Sequence, residues 1–170
     1  DTPCAAAAAV SVPFDLAIAA DTLANGFARL YQRRLVSSLQ AKARLKFSRM
    51  QAPFDLDALD TWRDFRSFDD RVTAPLHGFD GVDDYYTRSS CRPFLRDVAV
   101  PTLALHAVDD PFLAPTGIPA AHELGAPVEL ELVARGGHVG FVATERHWLE
   151  RRIVDFIAAT SPLHRAALAH

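Results

Sequence analysis

Two short apolar runs, each closing on residues that can do chemistry, constrain this chain more than any other feature. Pro101-Thr102-Leu103-Ala104-Leu105-His106-Ala107 reads as a strand and ends at Asp109-Asp110. Val128–Val133 reads as a second strand and ends at Arg135-Gly136-Gly137-His138. Pro119–Leu124 reads as a short helix between them. Arg146–Ala159 follows as an amphipathic helix with Trp148, Leu149, Ile153, Phe156 and Ile157 on one side. Strand, helix, strand and helix at this spacing predict an α/β fold, a parallel sheet covered by helices. Ala5–Val12 adds a strand at the other end of the chain. Its alanines favour helix, but Val10, Val12, the short length and the stop at Pro13 favour a buried parallel strand.

The stretch between these parts changes character. Residues 14–97 show no strand alternation and read as an all-helical insertion, a cap, dividing an α/β core of residues 1–13 and 98–170. From Asn25 to Phe47 the apolar positions Phe27, Leu30, Tyr31, Leu35 and Leu39 recur every three or four residues, as on the apolar face of a long helix. Asp57 and Ser67 read as N-caps of further short helices, and Gly81–Ser89 as another helix. Charge is segregated here. Arg29, Arg33, Arg34, Lys42, Arg44, Lys46 and Arg49 lie in a stretch without an acidic residue, and the nine aspartates from Asp55 to Asp84 follow it. Two readings stay open: a basic face for anionic lipid or substrate, or a solvated face partly neutralised by the acidic helices.

Bulk composition narrows the function classes. The chain has 170 residues, 49% hydrophobic and 23% charged, enough for a real core. A net charge of −3 argues against a nucleic-acid partner. No apolar run approaches the roughly 20 residues that a transmembrane segment needs. Cys4 and Cys91 lack CxxC spacing and read as free thiols in a reducing, cytoplasmic setting. The remaining histidines show neither HxH nor HExxH spacing, so no metal site is expected.

The candidate chemistry lies at the two strand ends. In open α/β sheets, ligands and reacting groups collect beyond the carboxyl ends of the strands. A carboxylate there, Asp110 with Asp109 as the fallback, can hydrogen-bond an imidazole, His138, on the neighbouring strand. The carboxylate would orient the ring, which would serve as general base and then general acid. Gly136 and Gly137 give the loop freedom to aim it. Spacing alone leaves a structural pair as the alternative.

The local sequences carry more. Pro101 through Phe112 resembles the segment around the acid of α/β-hydrolases, and Gly136-Gly137-His138-Val139-Gly140-Phe141 resembles their histidine loop. Val10 through Leu16 is similar to the strand and exit that follow the nucleophile helix. Three further stretches resemble the YheT-type hydrolases: Tyr31-Gln32-Arg33, Phe65–Asp70 through Ala74–Phe79, and Asp84-Tyr85-Tyr86 leading to Ser90–Leu95. The resemblance spans Ala5 to about Ile157. It implies that Asp110 is the triad acid, that His138 is the triad base, and that the helical insertion shapes an acyl pocket. It implies no cofactor. Phe14, Tyr85, Tyr86 and Phe94 are candidate pocket-lining residues, with packing in the core as the alternative for each.

One part is absent from the sequence. None of Ser11, Ser37, Ser38, Ser48, Ser67, Ser89, Ser90 and Ser161 sits in a GxSxG elbow. Chain order in these hydrolases places the serine before the acid and the base, so it is expected upstream of residue 1, together with the oxyanion donors. The expectation is therefore a fragment of a serine hydrolase, inactive alone, acting in full length on a small-molecule ester or lipid. It would be completed by its missing N-terminal half or by a second copy of the chain. The alternative is a non-catalytic fragment or interaction module with inert triad remnants.

Overall fold

The computed structural model describes residues 4–142 and 145–160. The chain divides into two compact units, residues 1–14 with 91–170, and residues 15–90.

The first unit is built on a three-stranded parallel sheet. Its strands are β1 (Ala7–Val10), β2 (Thr102–Ala107) and β3 (Val128–Val133), in the order β1-β2-β3. The register pairs Val10 with Leu105 and Ala107 with Val133. β2 lies between the other two and is apolar on both faces, as a covered parallel strand requires. Leu103, Leu105 and Ala107 pack with Phe141 and Phe156 on one face. Ala104 packs with Phe14 and Leu95 on the other. Five consecutive residues, Leu103 to Ala107, are buried. The alanine-rich β1 is a strand despite its helix propensity, because β2 offers it a complete parallel ladder.

The second unit is helical: α1 (Leu16–Leu23), α2 (Ala28–Phe47), α3 (Phe65–Phe68), a π-helical turn (Asp69–Thr73), α4 (Ala74–His77) and α5 (Val82–Ser89). Asp15 caps α1 by accepting from the Ile18 N–H at 3.0 Å. Gly78 ends α4 in the left-handed conformation, with φ of 73°. α5 opens at Gly81 with Asp83 and Asp84 in its first turn, where the helix dipole favours negative charge. α6 (Trp148–Thr160) belongs to the first unit, and its Phe156, Trp148 and Leu149 pack with Leu103, Leu105 and Ala107 of β2.

Several sequence expectations need correction. The long helix forms, but its buried face is not the apolar stripe. Of the expected stripe, Phe27, Leu30, Tyr31 and Leu35 are exposed and only Leu39 packs, partly buried, against the Val36, Leu59 and Phe68 cluster, whereas Ala28, Gln32, Val36, Gln40, Ala43 and Phe47 are buried. Two buried glutamines explain this. The Gln40 amide donates to the carbonyls of Leu59 and Trp62 at 2.9 and 2.8 Å, and Gln32 Oε1 accepts from the Phe65 N–H at 3.2 Å. They satisfy backbone groups that no leucine can satisfy. Asp57 caps no helix; the short 3₁₀ turn after it begins at Leu59 without a side-chain cap. Ser67 is the third residue of α3, in a capping box whose N-cap is Asp64. Ile157, expected on the covered side of α6, is exposed.

Candidate active site

The ends of β2 and β3 meet because Ala107 and Val133 are register partners. Beyond Ala107 the chain turns twice, through Asp110 N–H to Ala107 O and Leu113 N–H to Asp110 O, both 3.2 Å. These turns hold Asp109 and Asp110 at the carboxyl end of the sheet. Asp110 is buried. Its Oδ1 accepts from the Phe112 N–H at 2.9 Å, and its Oδ2 lies 3.0 Å from His138 Nδ1. The Phe112 ring packs against the imidazole, with centroids 4.5 Å apart. With Nδ1 on the carboxylate, Nε2 is the nitrogen left for proton transfer. The structure thus brings together the two residues singled out from the sequence, 28 positions apart.

Asp109 does not serve as the fallback partner of the ring. Its Oδ1 accepts from the N–H groups of Gly136 and Gly137, both at 2.8 Å. The Gly137 amide, with that of Gly136 and the charge of Arg135, holds this carboxyl below the usual carboxylate range. The glycines are needed for their smallness and their conformation. A Cβ on Gly136 would stand 2.8 Å from the Phe141 ring and 3.0 Å from the Ala107 Cβ, and Gly137 has φ of 62°. Val139 and Phe141 also have positive φ, at 65° and 39°, which side chains beyond glycine rarely adopt.

Ser11 was only one of eight serines outside an elbow in the sequence. It sits directly after β1, where its N–H donates to Leu105 O, and its Oγ accepts from the Val139 N–H at 3.2 Å. The signal that points to it is backbone accounting. A glycine-rich loop at a sheet end exposes amides that need acceptors, and a polar residue at a neighbouring strand exit can supply one.

His106 is buried on β2. Its ring lies 4.9 Å from that of Phe14. Burial lowers its pKa, and the charge of Asp110 opposes the shift.

The four pocket candidates separate. Phe14 is buried against Leu95 and Ala104. Phe94 is 56% exposed, so it is not a core residue of the described structure. Tyr85 and Tyr86 belong to the helical unit. Tyr86 is buried, and its hydroxyl donates to Asp69 Oδ2 at 2.8 Å, while the Thr73 hydroxyl donates to Asp69 Oδ1. That unit carries an open groove of about 900 Å³ lined by Arg29, Arg33, Arg63, Gln32, Gln40 and Asp64, with none of the four aromatics in its walls. Arg44 of the basic segment pairs with Asp60 of the acidic one.

Cys4 and Cys91 are free, and burial pushes the Cys91 thiol up, away from thiolate character. Among the described residues no three His, Cys, Asp or Glu side chains converge as a metal site requires. Among them, too, no helix is long and apolar enough to cross a membrane.

Comparison with known proteins decides the family. The chain is 42% identical over 163 residues to the Escherichia coli protein named "Putative esterase YheT", covering 92% of this chain and 48% of that protein. It is 33% identical over 164 residues to human phospholipase ABHD3, covering 93% of this chain and 40% of that protein. The chain belongs to the α/β-hydrolases, in their YheT-type branch. This YheT-type chain is also 30% identical over 117 residues to a Synechocystis protein named as an esterase, slr0264, covering 61% of this chain and 32% of that protein. It spans about half the length of the curated relatives it matches, or less. No family model and no solved structure matches it. The three-stranded parallel sheet with surrounding helices is a partial α/β-hydrolase fold.

Proposed function

We propose that this chain carries the acid and the base of a Ser-His-Asp carboxylic ester hydrolase whose serine lies in a preceding segment of a longer protein. The observation that carries the reading is the His138–Asp110 hydrogen bond at the ends of two paired parallel strands. The family supports it, because relatives are named as esterases and phospholipases. In this reading His138 Nε2 takes the proton of the serine as that oxygen attacks the ester carbonyl. The imidazolium, held by Asp110, then protonates the departing alkoxide, leaving an acyl-enzyme. Water attacks the acyl-enzyme with His138 as base, the serine recovers its proton, and the carboxylic acid leaves. The substrate class is a small-molecule ester or a lipid ester. The missing N-terminal half, rather than a second copy of the chain, supplies the serine and the oxyanion donors. The free thiols fit a cytoplasmic protein.

A fluorophosphonate label tests this. The full-length protein is expected to label, and His138→Ala to abolish labelling. An intact, folded full-length protein that does not label would leave a binding or structural role instead, a reading that the lack of GxSxG in this chain favours for the chain alone. A gene encoding only these 170 residues would sink the proposal.

A further inference from the structure

The loop that carries His138 is held from both sides by side chains that never touch the imidazole in a hydrogen bond. On the side before it, Asp109 Oδ1 takes two consecutive amides, those of Gly136 and Gly137. On the side after it, Ser11 Oγ takes the Val139 amide. The next amide, Gly140, donates to the His138 carbonyl at 2.8 Å and closes the loop on itself. The two clamping residues come from different strand exits, Ser11 from β1 and Asp109 from β2, and the clamped loop leaves β3. All three strands of the sheet therefore fix one backbone segment.

That segment needs fixing. Gly137, Val139 and Phe141 all have positive φ, and Val139 is β-branched, so the conformation persists only where its surroundings over-determine it. Ser11 itself has φ of 53°. Asp109 and Asp110 then divide one task between adjacent positions. Asp109 anchors the backbone of the loop and Asp110 anchors its ring, both from the same turn after β2.

We propose that Asp109 and Ser11 are positioning residues for the base His138, setting the ring on Asp110 through the loop backbone. This rests on the triad reading above. It makes the first aspartate of the Asp109-Asp110 pair functional as an acceptor of two N–H groups, with its charge secondary. An asparagine carbonyl at the same place keeps the acceptor and loses the charge.

The test is steady-state hydrolysis of a p-nitrophenyl acyl ester by the full-length protein, with thermal unfolding measured in parallel. Asp109→Ala is expected to lower kcat about 10- to 100-fold, the scale of a small misplacement of a catalytic group. KM should stay within about twofold, since ground-state binding is untouched. Asp109→Asn should restore kcat to within about threefold of the unmodified enzyme, because its carbonyl accepts both amides. Ser11→Ala removes a single bond, is an independent arm if Asp109→Ala does not fold, and should lower kcat about three- to tenfold at unchanged KM. His138→Ala is the control for the triad reading. If it remains active, that reading fails. If it is inactive while Asp109→Ala and Ser11→Ala keep full kcat, the clamp is overturned and the triad stands. An Asp109→Asn variant as impaired as Asp109→Ala also overturns the acceptor role.

Discussion

The His138 imidazole and the Asp110 carboxylate meet at 3.0 Å from opposite environments: the aspartate side chain is 2% exposed and the histidine side chain 38%. The carboxylate is fixed twice over, by the Phe112 amide and by burial, while the ring reaches outward to solvent. A buried acceptor with one open partner selects the tautomer of an accessible ring.

Asp110→Asn therefore should leave the ring in place with the wrong nitrogen favoured. We expect kcat of the full-length protein to fall about 10³- to 10⁴-fold with KM little changed, the pattern of an interaction that matters only in the transition state. Single-turnover kinetics with a chromogenic ester would show the loss in acylation. An Asp110→Asn enzyme with near-normal kcat would remove Asp110 from the mechanism.

Gly136→Ala should damage the same loop by crowding. The added methyl would stand 2.8 Å from the Phe141 ring and 3.0 Å from the Ala107 Cβ, both buried in one core cluster. Overpacking of this kind costs about 1–3 kcal/mol. Urea unfolding should show that loss, and esterase activity should fall with it. Shifting the bulk elsewhere, with Phe141→Leu in the Gly136→Ala background, should recover part of the stability.

His106 makes stability depend on pH in a defined direction. Burial depresses its pKa in the folded chain, the nearby His138 ring acting in the same sense and the Asp110 carboxylate against it. The unfolded chain, with an ordinary imidazole near pH 6.5, binds a proton that the folded chain refuses. Its neutral state thus supports the fold fully above about pH 6.5, and that support is lost as pH falls below this value. His106→Leu should remove this acid sensitivity. Because the ring is buried and its backbone contact with Val12 would be lost, the substitution should change stability at pH 7 by no more than about 1.5 kcal/mol. Unfolding midpoints at pH 7.5 and 5.5 check both statements, and a drop on acidification as large as that of the unmodified chain would refute the first.

What the sequence made legible follows from how local each signal is. The strands leading to Asp110 and His138 announce themselves by apolar runs broken by turn residues, and their pairing follows from the parallel sheet. The clamp by Asp109 and Ser11 is not local. It joins residues 27, 28 and 128 positions apart, and only the order β1-β2-β3 brings them together. The face of α2 misled for another reason. Periodicity counts glutamine as polar, yet Gln32 and Gln40 are buried because two loops need their hydrogen bonds more than the core needs leucines.

Gln40 turns that last point into a measurement. Replacing it with leucine keeps the volume and strips the donors from the Leu59 and Trp62 carbonyls. Buried acceptors left without donors cost about 1–3 kcal/mol. Leu45→Gln, on the exposed face of the same helix, should change stability by less than about 0.5 kcal/mol. If the two substitutions cost the same, α2 packs on the apolar stripe after all.

A final prediction concerns acid. Glu123 receives a two-pronged contact from Arg92, Nε to Oε1 at 2.8 Å and a terminal nitrogen to Oε2 at 2.9 Å, and its Oε2 also accepts from the Ala120 N–H at 2.7 Å. The same guanidinium donates to Thr116 O at 2.9 Å. These bonds tie the 3₁₀ segment Arg92–Asp97, whose Leu95 packs with Ala104 of β2, to the turn at Ala121–Glu123. The Arg92 guanidinium, with the Ala120 amide, brings the Glu123 carboxyl down to about 2. A depressed carboxyl contributes stability that is complete above its unfolded pKa of about 4.5 and is lost as pH falls through the folded value. Glu123→Gln should therefore be less stable than the unmodified chain at pH 7. The gap should narrow from about pH 4.5 downward and close near pH 2. Denaturant unfolding at a series of pH values reads this directly. A gap that stays constant across that window would mean the side chain acts by packing and not by its charge.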